Sequence, residues 1–162
     1  MTQQAPSQVD LQELINRYQN GLHSEAEALA LSITKQFPEH PFSWKILGGI
    51  YKALGRMTDA LAAGKKAVEL NSGDNQAHNS LGVILEDLGR FEEAEASYRK
   101  ATLLEPDDCG THYNLGNVMR KLKKFEEAVS AYRQAIAVEP DYAEAHSNLG
   151  VTLQELGRSE AA

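Results

Sequence analysis

An all-α chain of stacked antiparallel helix pairs is predicted by three features of the sequence. One string recurs with a 34-residue period, apolar residues within each period follow helical spacing, and glycine or proline punctuates the pattern in a fixed phase. The string reads Ala77-His78-Asn79-Ser80-Leu81-Gly82, then Thr111-His112-Tyr113-Asn114-Leu115-Gly116, then Ala145-His146-Ser147-Asn148-Leu149-Gly150. One period earlier stands Ser43-Trp44-Lys45-Ile46-Leu47-Gly48. A second string keeps the phase: Phe91-Glu92-Glu93-Ala94 with Tyr98 and Ala101 returns as Phe125-Glu126-Glu127-Ala128 with Tyr132 and Ala135. Pro38, Pro106 and Pro140 share one position, with Ser72 in the remaining period.

Each period reads as two helices. In the third, Leu81, Leu85 and Leu88 form one apolar face at i, i+4, i+7. Gly89 is expected to end that helix, as Gly55 and Gly157 do in their periods, with Lys123 at the same place in the fourth. The second helix opens on Glu92 and Glu93, where the helix dipole favours acids, and stops before Pro106. Small residues mark where the two helices touch: Gly82 with Ala94 and Ala101, and Gly116 facing Ala128. Asn117, next to Gly116, is expected to be exposed.

The pattern W-x2-L-G-x2-Y followed by A, F, A and P resembles the tetratricopeptide repeat (TPR) family. Trp44, Leu47, Gly48, Tyr51, Ala60 and Ala67 carry it in unit 41–74, which departs from it with Gly64 at a large-residue position and with Ser72 for proline. Units 75–108 and 109–142 place His where the pattern has Trp; unit 7–40 is degenerate, and unit 143–162 is cut just inside its second helix. Residues 1–6 are expected to be a disordered tail before a single array over 7–162. The Ala-His-x-Asn-Leu-Gly strings are similar to the arrays of O-linked N-acetylglucosamine transferase-like bacterial proteins. The resemblance implies an all-α TPR superhelix, a right-handed solenoid of antiparallel helix pairs with first helices lining its concave side.

Composition narrows the chemistry. The chain has 162 residues and a net charge of −7, which disfavours a nucleic-acid binder because phosphates need a basic face. It has no apolar run long enough to span a membrane and no secretory signal pattern, so a cytoplasmic protein is expected. Cys109 is the only cysteine, and acidic neighbours should disfavour its thiolate. His78, His112 and His146 stand one repeat apart, too far to share a metal ion, and read as packing residues. Glu92-Glu93 and Glu126-Glu127 read as solvated helix starts, and Gly48-Gly49 lacks the Lys-Ser or Lys-Thr of a phosphate loop. No catalytic residue, cofactor or metal is expected.

What remains is a surface. By the family resemblance, the groove would be lined by Lys45 and Lys52, Asn79 and Ser80, then Tyr113, Asn114, Asn117, Arg120 and Lys121, and finally Ser147 and Asn148. An amide side chain both donates and accepts, so Asn114 and Asn148 can hold the backbone of an extended peptide as a short ladder. The Lys-Asn-Asn-Lys-Arg clamp of repeats that bind chaperone tails is not reproduced: Lys45, Gly49, Ser80, Gly110 and Asn114 stand at its positions. The expected function is a non-catalytic protein–protein interaction module that binds an extended peptide or partner domain. The alternatives are the N-terminal substrate-recruiting part of a larger transferase (glycosyltransferase or methyltransferase) and a self-assembling scaffold. The uncovered leucines Leu149, Leu153 and Leu156 imply end-to-end self-association through residues 143–162.

Overall fold

The structure, a computed structural model, describes residues 5–160, with side chains as far as residue 158. The first four residues of the expected tail and the last two of the cut fifth unit lie outside it. Among the described residues there are nine helices and no strand: α1 Gln8–Gln19, α2 His23–Gln36, α3 Pro41–Ala53, α4 Met57–Leu70, α5 Asn75–Asp87, α6 Phe91–Leu104, α7 Cys109–Lys121, α8 Phe125–Val138 and α9 Ala143–Glu160. They fall into two compact units, divided within α5 between Ile84 and Leu85.

The reversal inside each helix pair is a left-handed residue. Gly21, Gly55 and Gly89 have φ of 74°, 73° and 72°, and Lys123 takes the same role at 59°. At Gly55 the chain closes as a Schellman turn, with Arg56 N–H on the Tyr51 carbonyl at 2.8 Å; Lys124 repeats the bond to Met119 at 2.9 Å. Gly157 departs from the expectation. It lies inside α9, which runs on to Glu160 as one helix. A reversal is held by a second helix packing back, and among the described residues no helix follows α9.

In unit 1 the core is built around Leu14, Ala26, Leu47, Ile50, Tyr51 and Ala60, each below a tenth exposed. Gly48 lets α3 approach α4 closely: a Cβ there would touch Gly64 N at 3.4 Å and Ala60 O at 3.5 Å. Gly64, the departure from the large-residue pattern, is filled from outside by Leu81 Cδ1 and Ile84 Cδ1 of α5, 3.3 and 3.4 Å from its would-be Cβ. An ion pair from Arg56 at the start of α4 to Glu27 ties that helix to α2.

In unit 2 two fully buried tyrosines, Tyr98 and Tyr132, form the centre with Val118, Ala94, Ala101, Ala128 and Ala135. Their hydroxyls are not wasted on an apolar core. Tyr98 donates to Glu86 at 2.9 Å and Tyr132 to Asn117 at 2.7 Å, so each buried O–H has its acceptor. The atoms nearest to a Cβ at Gly116 belong to the ring of Tyr132, one helical turn beyond Ala128 on α8. Leu85 is buried, whereas Leu88, the third residue of the expected apolar face, is 36% exposed, since α5 ends at Asp87. Two periods after the Glu27–Arg56 pair, Lys124 reaches Glu95 at 2.7 Å and ties α8 to α6.

Candidate functional site

The connection between successive helix pairs is closed by one repeated hydrogen bond. Trp44 Nε1 donates to the carbonyl of Pro38 at 2.7 Å. His78 Nε2 lies 3.0 Å from the Ser72 carbonyl, His112 Nε2 2.8 Å from that of Pro106, and His146 Nε2 2.8 Å from that of Pro140. An imidazole therefore replaces the indole because it keeps an N–H donor at the same place. These rings are half-buried or exposed. The expected packing role becomes a tie between ring and backbone.

In unit 1 the first helices of the pairs bring their inner positions together. Tyr18 of α1, Gly49 and Lys52 of α3, and Asn79, Ser80 and Val83 of α5 line one open depression of about 140 Å³. Gly49 leaves room for the Tyr18 hydroxyl, which would stand 2.7 Å from a Cβ at that position. Lys45 is drawn out of this row: its ammonium bonds Asp74 at 2.7 Å and Gln76 at 3.3 Å, and it lies 5.5 Å from the Phe42 ring. Burial pushes the Asp74 carboxyl up, but the Lys45 and Ala77 N–H bonds outweigh it, and the group titrates below its ordinary range. Lys45 thus holds α3 to the start of α5.

In unit 2 the inner face is a connected polar network. Asn148 on α9 donates through Nδ2 to Asn117 Oδ1 at 2.9 Å and to the Tyr113 hydroxyl at 3.1 Å. Asn117 also accepts the Tyr132 hydroxyl, so it is half-buried and bonded, not exposed as expected. The Tyr113 ring lies 5.9 Å from Tyr132 and 5.1 Å from Tyr142. The Tyr113–Tyr142 contact stands where unit 1 has Lys45–Asp74, two periods earlier: one aromatic pair and one ion pair serve the same junction.

The cations of this face are partly committed. Lys121 bonds Glu86 at 3.0 Å and sits 5.1 Å from the Phe91 ring. Arg120 Nη1 is 3.7 Å from Glu155. Burial raises the Tyr132 hydroxyl pKa, and the Arg120 charge works against that rise. Arg120 Nε and Glu155 Oε2 are buried without a hydrogen-bond partner. Asn114 is half-buried, and Ser80 and Ser147 are exposed. Cys109 donates its thiol to Glu139 at 3.1 Å; that bond, then burial, then the Glu139 and Asp108 charges, raise its pKa. The expected suppression of the thiolate is found, with Glu139 as its main source. The sequence offered no signal for Tyr18 or Glu155, because neither lies in a recurring string, and Tyr132 recurred only as a second-helix residue, with nothing to show its bond to Asn117.

Family models described as "Tetratricopeptide repeat" match residues 11–75 and 76–108, and one described as "TPR repeat" matches residues 116–157. This is a tetratricopeptide-repeat chain. Solved tetratricopeptide structures share the fold. A MamA crystal structure is 23% identical with a TM-score of 0.84, covering 94% of this chain and 84% of that one. YrrB, described as "a TPR protein with an unusual peptide-binding site", is 17% identical with a TM-score of 0.81 over 94% of this chain and 78% of its own. PilF of Pseudomonas aeruginosa is 18% identical with a TM-score of 0.84 over 93% and 68%. A comparison with curated proteins gives no match. The similarity of the Ala-His-x-Asn-Leu-Gly strings to transferase arrays gains no support from these matches. No described helix is long and apolar enough to cross a membrane.

Proposed function

We propose that this chain is a non-catalytic protein-interaction module whose first helices grip an extended peptide. Tetratricopeptide repeats are interaction modules in general, and YrrB, of the same fold, is described by its peptide-binding site. The observation that carries the reading is the preorganised inner face. Tyr132 O–H, Asn117 and Asn148 fix one another in unit 2, and unit 1 gathers Gly49, Lys52, Asn79 and Ser80 around one depression. Side chains already locked before binding lose little further entropy on meeting a ligand. Because both Asn148 amide hydrogens are committed inside the protein, its carbonyl oxygen is the group offered to a peptide N–H. The ladder is thus an acceptor ladder at this rung.

Selection of extended peptides from a random library on the intact chain tests the reading. Peptides so obtained should lose affinity for Ser80→Arg, which blocks the unit 1 depression, and for Asn148→Ala. Selected peptides that bind both variants like the parent chain would contradict it.

A second reading, self-association through residues 143–162, draws support from α9. A Cβ at Gly150 would meet nothing within 4 Å, and Leu153 is 43% exposed. The equivalent Gly116 is covered by an aromatic ring. Light scattering over a concentration series should show a dimer that Leu153→Glu abolishes. A monomer throughout the series would remove this reading.

A further inference from the structure

Asn117 lies outside the recurring Ala-His-x-Asn-Leu-Gly string, and only one end of its amide is engaged. Its Oδ1 accepts twice, from the Tyr132 hydroxyl at 2.7 Å and from Asn148 Nδ2 at 2.9 Å. Tyr132 is fully buried, so its O–H needs that acceptor, and the need fixes which end of the Asn117 amide meets it. The Asn117 nitrogen, with two hydrogens, is left over. Asn148 is engaged in the opposite sense. Its Nδ2 donates both hydrogens, to Asn117 and to Tyr113, and its Oδ1 is left over. Neither remaining atom has a partner among the described residues, and neither is buried. The bonded pair thus holds one donor and one acceptor open to solvent, and neither amide can turn without breaking a bond to the other. Unit 1 has no such pair. Two periods earlier the same places hold Gly49 and Ser80, and Gly64 stands in place of Tyr132. There the first helices leave a depression; in unit 2 they leave a hydrogen-bonding edge.

We propose that the Asn117–Asn148 pair reads one residue of an extended peptide through both of its main-chain groups. Asn117 Nδ2 donates to the peptide C=O, and Asn148 Oδ1 accepts the N–H of the same residue. The inference rests on the interaction-module reading; it adds Asn117 as the donor and fixes what the pair selects. In an extended chain the N–H and C=O of one residue leave on the same side, which is how two facing strands exchange two bonds through one residue pair. One donor beside one acceptor is the complement of that edge, and the amide pair offers it as a sheet edge does to an added strand. The peptide side chain at this place takes no part. Any residue that carries an N–H is therefore accepted there, and proline alone is refused.

The probes are one peptide selected from a random library on the intact chain and its analogues with a single amide replaced by an ester, which removes one N–H at a time. Titration calorimetry on the parent chain should find one N–H whose loss weakens binding by about three- to tenfold, the net value of one hydrogen bond. That penalty should vanish on Asn148→Ala, and no selected peptide should carry proline at that residue. Asn117→Asp keeps an oxygen for Tyr132 and Asn148 and replaces only the free donor by an acceptor. It should weaken the unmodified peptide by about tenfold or more while circular dichroism shows the helices intact. Ester penalties that are the same on the parent and on Asn148→Ala would overturn the proposal and leave the interaction-module reading standing. Undiminished affinity in folded Asn117→Asp would do the same. Failure to select any peptide would remove that reading and this proposal together.

Discussion

Tyr132 lies against Gly116 so closely that a Cβ at 116 would stand 2.6 Å from Cε1 and 2.8 Å from Cδ1 of its ring. The ring is fully buried and its hydroxyl is tied to Asn117, so it has no direction in which to yield. Gly116→Ala should therefore destabilise unit 2 by about 1–3 kcal/mol, the usual cost of overpacking. Gly150→Ala, at the equivalent place in α9 with nothing within 4 Å, should gain about 0.5–1 kcal/mol from helix propensity alone. Chemical denaturation of the two variants checks the pair. Equal effects would show that the glycine phase does not mark the helix contact.

Lys123 occupies a left-handed conformation that the other reversals give to glycine. An L-residue pays about 1–2 kcal/mol for that conformation, partly offset by the greater chain entropy glycine loses on folding. Lys123→Gly should raise stability by about 0.5–1 kcal/mol, and Gly89→Ala should lower it by a similar amount. Denaturant midpoints measured at constant m-value read both effects.

Trp44→Phe keeps an aromatic ring but leaves the Pro38 carbonyl without its 2.7 Å donor. The expected loss is about 0.5–1.5 kcal/mol, the net value of one hydrogen bond. His112→Phe should behave alike for Pro106, whereas His112→Trp, which restores an N–H donor, should be close to neutral. Thermal melting of the three variants distinguishes a ring tie from simple packing, which phenylalanine would satisfy.

Glu95 supplies the acid limb of stability in unit 2. Burial alone would raise its carboxyl pKa, but hydrogen bonds and charges from Lys124 and Arg99 hold it below the ordinary glutamate value. A depressed folded value means the stabilisation is complete above the unfolded pKa, about 4.3, and is lost as pH falls through the folded pKa. Glu95→Gln should therefore destabilise at neutral pH, with the difference from the parent chain shrinking as the solution is acidified below about pH 4. A pH-independent difference would show that the ion pair is not the cause.

The helix pairs were legible because periodicity repeats the same physical instruction several times: Leu47, Leu81 and Leu115 are all buried, and Gly55 and Gly89 both reverse the chain. Gly157 was misread because a reversal depends on what packs after it, which no local residue encodes. The side-chain bonds among the first-helix positions were not legible. Asn117 looked like surface, yet it accepts from Tyr132 fifteen residues away and from Asn148 in the next pair. Such bonds join separate helices, so their partners emerge only once the helices are set side by side. Lys45 and Lys121 were likewise read as groove cations, whereas each is held by a carboxylate of a neighbouring helix.

The most direct test of the interaction-module account is amide NMR mapping of the intact chain with a library-selected extended peptide. The account predicts shifts concentrated at the inner positions of the first helices, including Ser80 and Val83 in unit 1 and Tyr113, Asn117 and Ser147 in unit 2. The second helices should stay close to their free positions. Shifts confined to α2, α4, α6 and α8, with the inner residues unmoved, would contradict it.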